Sequence, residues 1–196
     1  MTARTTVLLG LAIGLGCVFG VTAGAEEAQS PAPQAQPSLA EDVMRAYATA
    51  FHMAETLEVA RGITKQISDV LDPADPSVAF GQVMAADEVM SSALQSLGAL
   101  EYQLNELVTR AAPDAGAHAA AVRLVSALEQ VAQHGATLQS QAQALERRLN
   151  RLAISQNNPQ WEAVMSMSQL PTDAFEETNL AAIRDRASTL EEKTTP

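Results

Sequence analysis

The stretch from residue 117 to residue 154 constrains the fold of this chain more than any other part of the sequence. Small and apolar residues recur there at alternating spacings of three and four, which is the heptad pattern of a helix that packs a seam against other helices. One heptad position holds Ala121, Leu128, Gly135, Ala142 and Leu149, and the other holds Leu124, Val131, Leu138, Leu145 and Leu152. The pattern predicts one long helix docked on partner helices. Its candidate interaction seam consists of Leu124, Leu128, Val131, Leu138, Leu145, Leu149 and Leu152.

Two long helices are predicted before this one. The first begins at Ser38, which forms a capping box with Glu41, and ends at Asp72-Pro73 because a proline disfavours helix in the preceding residue. The second covers residues 78–112. The apolar stripe of the first is Val43, Tyr47, Phe51, Ala54, Leu57, Ala60, Ile67, Val70 and Leu71, and that of the second is Met90, Leu94, Leu97, Leu100, Leu104, Leu107, Val108 and Ala111. Glu101 interrupts the second stripe, and we expect its carboxylate to reach solvent or to pair with an arginine of the first or third helix.

The C-terminal part is predicted to contain shorter helices. Residues 155–159 break the third helix, a short amphipathic piece follows at residues 160–169, and a last helix spans residues 174–192. The turn at residues 113–116 is so short that the second and third helices must run antiparallel. The predicted fold is all-α: an elongated antiparallel bundle of three long helices plus a shorter C-terminal helix, with coiled-coil-like packing.

Composition agrees with this fold class. Hydrophobic residues make up 47% of the 196 residues and aromatic residues only 4%, so the core must consist of Leu, Val, Ile, Met and Ala, and residues that favour strands are scarce. The chain has 12 basic and 23 acidic residues, a net charge of −11. This charge repels nucleic-acid backbones and anionic headgroups, which argues against charge-driven binding to either.

The first 25 residues have the three parts of a secretory signal peptide. Arg4 is the only charge before Glu26, an apolar segment follows Arg4, and Ala23-Gly24-Ala25 is a small-x-small cleavage site. We therefore predict a signal peptide over residues 1–25, cleaved after Ala25. A disordered Pro/Gln/Ala-rich linker over residues 26–38 and a helical domain over residues 39–196 would follow it.

Two alternatives stay open for the N-terminus. Leu15-Gly16-Cys17 loosely resembles a lipobox, so Cys17 could carry a lipid anchor, although Gly14 stands where a large aliphatic residue is usual. An uncleaved anchor is the other alternative, since residues 7–25 are nearly long enough to cross a bilayer. Cleavage after Ala25 removes the only cysteine, and a mature chain without disulfides suits a bacterial periplasm. We expect an exported protein, periplasmic or secreted.

The sequence contains none of the common catalytic or cofactor motifs. It has no Gly-x-Ser-x-Gly elbow, phosphate loop or dinucleotide fingerprint, and no His-Glu-x-x-His, Glu-x-x-His or Cys-x-x-Cys-His. We therefore expect neither enzymatic activity nor a bound cofactor. One weak metal pattern remains: Met165 and Met167 have a thioether spacing that suits Cu(I), and His52 and Met53 could add ligands. Methionine is also a common gap-filler in cores, which is the simpler interpretation.

Export, a long seam and the lack of catalytic motifs favour an interaction or structural protein. We expect a subunit, adaptor or chaperone-like factor of a bacterial envelope, secretion or pilus assembly, which meets a partner protein or a second copy through the seam. The alternative is a periplasmic carrier that binds copper or a small apolar ligand between its helices.

Overall fold

The computed structural model describes residues 37–71, 75–156 and 158–196. The predicted signal peptide, Cys17 and nearly all of the predicted linker lie outside the described residues. The elements are α1 (Leu39–Val70), α2 (Pro76–Arg110), α3 (Ala115–Gln156), α4 (Pro159–Met167), a 3-10 helix (Thr172–Phe175) and α5 (Glu177–Thr194). The three long helices contain 32, 35 and 42 residues, about 48, 53 and 63 Å at 1.5 Å per residue. The predicted all-α bundle is confirmed.

The heptad seam of α3 is buried as its pattern predicts. Every residue at the two heptad positions is buried except Leu152, which is half-buried, and the next residue, Ala153, is buried instead. The helix begins two residues before its predicted start because Asp114 caps it, with Oδ1 accepting a hydrogen bond from the Ala117 amide at 2.8 Å.

The seam of α1 differs from the predicted stripe. The capping box of Ser38 and Glu41 is present, but Phe51 and Val70, predicted to face the core, are exposed, and Tyr47 is half-buried. Most buried positions are spaced three and four apart: Val43, Ala46, Ala50, Met53, Leu57, Ala60, Thr64, Ile67 and Leu71. Ala54, a member of the predicted stripe, is buried beside Met53. Small side chains occupy much of this seam, so neighbouring helices can approach closely and the larger aromatic side chains remain at its edge.

The seam of α2 follows the same spacing. It consists of Pro76, Ala79, Val83, Ala86, Met90, Ala93, Leu100, Leu104 and Leu107. Four other members of the predicted stripe are half-buried and pack against this core, namely Leu94, Leu97, Val108 and Ala111. The helix starts before residue 78 because Asp75 caps it, accepting a hydrogen bond from the Ser77 amide at 3.0 Å. Pro76 in the first turn needs no hydrogen-bond partner there.

The four helix positions of the bundle form a ring in which α1 contacts α2 and α3, and α5 also contacts α2 and α3. α1 and α2 run antiparallel, because an ion pair of 2.8 Å joins Asp42 in the first turn of α1 to Arg110 in the last turn of α2. α1 and α3 are parallel neighbours, and Arg148 of α3 donates a hydrogen bond to the Ser68 carbonyl of α1. The segment 111–114 therefore reverses the chain direction, as predicted, but it joins helices that lie diagonally across the ring.

A broken helix fills the fourth position. α4 and α5 both return along α3, and residues 168–176 join them. α5 completes a first core with α1, α2 and the N-terminal half of α3. α4 completes a second core around Trp161. The other buried members of this second core are Ile67, Leu71, Ala79, Val83, Leu145, Leu149, Ala153 and Val164.

Candidate interaction surface

The candidate interaction seam of α3 lies inside the chain's own bundle. Leu124, Leu128, Val131 and Leu138 belong to the first core, and Leu145 and Leu149 belong to the second. Leu152 packs against the edge of the second core. Helices α1, α4 and α5 cover these leucines. A partner could reach them only by displacing a helix of this chain, so the seam is not an accessible docking surface of the folded bundle.

The four candidate copper ligands are not brought together. Met53 is fully buried in the first core, and His52 beside it is exposed. Met165 packs against the second core, which α1 reaches first at Ile63, and eleven residues of helix separate His52 from Ile63, about 16 Å. Within residues 37–71, 75–156 and 158–196, no group of three or more His, Cys, Asp or Glu side chains is arranged to hold a metal ion.

Two exposed charged residues, Glu101 and Arg148, have partners in neighbouring helices of the bundle. Glu101 is exposed on α2 and accepts a hydrogen bond from Arg186 of α5 at 3.1 Å. The prediction that an arginine of the first or third helix would pair with Glu101 is wrong, because α5 lies beside this part of α2. Arg148 donates to the carbonyl of Ser68, which lies in the last turn of α1, where carbonyls have no partner within the helix. The arginine thus stabilises the end of a neighbouring helix.

An apolar groove opens between the start of α2 and α4. It encloses about 290 Å³ and is lined by Pro76, Ser77, Phe80, Gln160, Ala163 and Val164. Helical spacing places Met84 one turn beyond Phe80, and Met167 one turn beyond Ala163, on the faces that line this groove. Phe80, Met84 and Met167 are 39%, 50% and 36% exposed. We call the lining residues together with Met84 and Met167 the α2–α4 groove. Its three large exposed side chains are Phe80, Met84 and Met167.

The α2–α4 groove lies in an acidic part of the molecule. Asp75 stands at one end, and Asp87 and Glu88 follow Met84 by one turn at the other; all three are exposed. The hydroxyl and amide of Ser77 donate hydrogen bonds to Asp75 at 2.6 and 3.0 Å, which lowers the pKa of this carboxyl and keeps it ionised.

Basic residues are segregated from this groove. Residues 75–109 and 158–183 contain no Lys, Arg or His. The cations of the two helices across the bundle, α1 and α3, are Arg45, Arg61, Lys65, Arg123, Arg147, Arg148 and Arg151. One side of the protein therefore combines exposed apolar side chains with exposed carboxylates, and the other carries most of the positive charge.

Sequence reasoning missed this surface. Its signal is the pair Phe80 and Met84, four residues apart on α2 and therefore on one face, but outside the seam positions. The pair becomes a groove only because α4 folds back beside α2, and that arrangement could not be read from either segment alone.

Among the described helices, none combines the length and the apolar character needed to cross a bilayer. No protein-family model matches the chain, and it matches none of the curated proteins or solved structures with which it was compared.

Proposed function

We propose that this chain is an exported, non-catalytic interaction protein, a subunit, adaptor or chaperone-like factor of a bacterial envelope, secretion or pilus assembly. In this proposal the α2–α4 groove receives a segment of its protein partner. The observation that carries it is the row of Phe80, Met84 and Met167, exposed in a chain whose seam leucines are already covered. Grouped exposed apolar side chains are typical of surfaces that another molecule covers.

The residue types in the groove suit a protein partner. Two of the three exposed side chains are methionines, whose flexible thioethers adapt to differently shaped partners. Export rests on the order of charge, apolar segment and cleavage site in residues 1–25. The absence of catalytic activity rests on the lack of the corresponding motifs in the sequence.

A carrier of a small apolar ligand is the second candidate, and the same groove favours it. However, a volume of about 290 Å³ is at the lower limit for ligand pockets, which usually enclose roughly 300–1,000 Å³. Helical spacing also places the exposed Met84 and Met167 one turn beyond the lining residues, and a row of apolar side chains suits a polypeptide segment better than a compact ligand. The copper version of this candidate is weaker still, since its four candidate ligands lie apart.

Site-specific photo-crosslinking in the native host tests the proposal. A photoreactive residue at position 80 should give one discrete protein adduct, and Met84→Asp should abolish that adduct. The matched control is position 102, where Tyr102 is 73% exposed on the same helix. A lack of adduct at position 80, or the same adducts from positions 80 and 102, would contradict a partner in the groove.

A further inference from the structure

We infer that the occupant of the α2–α4 groove is a basic amphipathic helix of the partner protein. This inference rests on the proposed function and specifies the chemistry of the partner. It follows from the shape of the groove, the spacing of its apolar side chains and the charge around it.

The shape of the groove favours a helix. α1 runs antiparallel to α2 and parallel to α3, and α4 returns along α3, so α2 and α4 run in the same direction. Side chains of both helices line the groove, which is a channel between two helical surfaces. A third helix packs into such a channel by setting its ridge of side chains into the groove.

The spacing of the exposed side chains matches a helical ligand. Phe80 and Met84 are four residues apart, about 6 Å along the axis of α2. Apolar side chains one turn apart on a docked helix have the same separation. The partner's apolar face would thus contact Phe80 with one side chain and Met84 and Met167 with the next.

The charge around the groove favours a basic ligand. Asp75 lies at one end and Asp87 and Glu88 at the other, while residues 75–109 and 158–183 offer no cation to pair with them. Lys or Arg on the edges of the docked helix would meet these carboxylates, and Asp or Glu would be repelled. Complementary charge at the rim selects among helices that fit the apolar groove equally well.

Two fluorescent peptides test this inference. Both are Ala-based and about 18 residues long, enough to form helix in water, with Leu at positions i, i+4 and i+7. They differ only in carrying Lys or Glu beside the Leu face. Fluorescence anisotropy with the full chain in its processed form should show the Lys peptide binding at least about tenfold more tightly than the Glu peptide. High salt should weaken the binding of the Lys peptide, because the carboxylates are exposed.

Variants locate the effect. Phe80→Ser should abolish binding of the Lys peptide. The double variant Asp87→Asn/Glu88→Gln should reduce the preference for Lys over Glu at least several-fold. Its control, Glu129→Gln/Asp185→Asn, makes the same change in net charge at exposed positions beside a different groove, between α3 and α5, and should leave the preference unchanged.

Three results would overturn the inference: equal affinity for the two peptides, no binding of the Lys peptide, or an equal effect of the control pair. Sedimentation equilibrium measures whether the chain associates with itself. A self-assembly that Phe80→Ser dissociates would make a second copy of this chain the occupant. The proposed function is tested separately. If the two peptides bind equally but position 80 still gives an adduct with a partner protein, the proposed function stands and only the basic helix is ruled out.

Discussion

Gly135 of α3 lies against Phe175, the last residue of the 3-10 helix. A Cβ built on Gly135 would stand 2.7 Å from the Cβ of Phe175 and 2.8 Å from its carbonyl oxygen. A glycine at this seam position leaves room for a close approach, and the segment between α4 and α5 makes that approach. Since Phe175 is buried, neither side of the contact can move away freely.

Gly135→Ala should therefore destabilise the protein, although alanine is the better helix former. Overpacking of this kind costs about 1–3 kcal/mol. Gly98→Ala is the control: nothing lies within 4 Å of a Cβ at position 98 in α2, so this variant should gain up to about 1 kcal/mol from helix propensity. Urea unfolding measures both. Equal stabilisation by the two substitutions would show that α3 and Phe175 are not in contact.

Leu138→Asp should largely unfold the bundle. Leu138 is fully buried in the first core, and a carboxylate there has no water and no designed partner, a cost of about 4–5 kcal/mol or more. Val122→Asp places the same side chain at a position of α3 that is 44% exposed, and it should change stability by only about 0.5 kcal/mol. Thermal melts followed by circular dichroism compare them. An unchanged melt for Leu138→Asp would contradict burial of the α3 seam.

The contrast between α3 and α1 shows what the sequence can predict. The seam of α3 was predictable because Leu124, Leu138 and Leu145 mark one heptad position without competition. The seam of α1 was not, because Ala46, Ala50 and Thr64 carry little hydropathy signal, while Phe51, at a neighbouring position, is strongly apolar. Close packing rewards small residues at the centre of a helix contact, and hydropathy alone does not record this.

The surface between α2 and α4 could not be predicted for a different reason. The helix break after α3 is evident from Asn157, Asn158 and Pro159, and so is the amphipathic character of the segment after it. Which neighbour α4 would contact depends on the bundle's arrangement as a ring, in which α2 and α3 lie on a diagonal. Tertiary packing of this kind also decides that Glu101 pairs with Arg186.

Export makes a direct prediction about the mature N-terminus. Cleavage after Ala25 should give a protein that begins at Glu26 and is found in the envelope fraction. Intact-mass measurement and N-terminal sequencing of the native protein test this. A chain that begins at a lipid-modified Cys17 would favour the anchored alternative, and a chain that retains residues 1–25 would favour an uncleaved anchor.

Copper binding is expected to be undetectable under reducing conditions. Met165 packs against the second core and Met167 is exposed two residues later, whereas Met53 is buried in the first core, so a Cu(I) ion would find at most two soft ligands together. Isothermal titration with Cu(I) should give no stoichiometric heat. Heat in the unmodified protein that disappears in Met165→Leu/Met167→Leu would revive the carrier hypothesis.

Substitutions at two phenylalanines distinguish an effect on binding from an effect on folding. Phe175 is 1% exposed and Phe80 is 39% exposed, so the same substitution should reduce stability much more at position 175 than at position 80. Phe175→Ser leaves a cavity and should cost about 3–5 kcal/mol, whereas Phe80→Ser gives up only part of a side chain's burial, about 1 kcal/mol. Denaturant unfolding should rank the variants in this order, while only Phe80→Ser should remain well folded and lose the Lys peptide. If Phe80→Ser unfolds the protein as strongly as Phe175→Ser, Phe80 stabilises the fold, and its exposure cannot be taken to mark a binding surface.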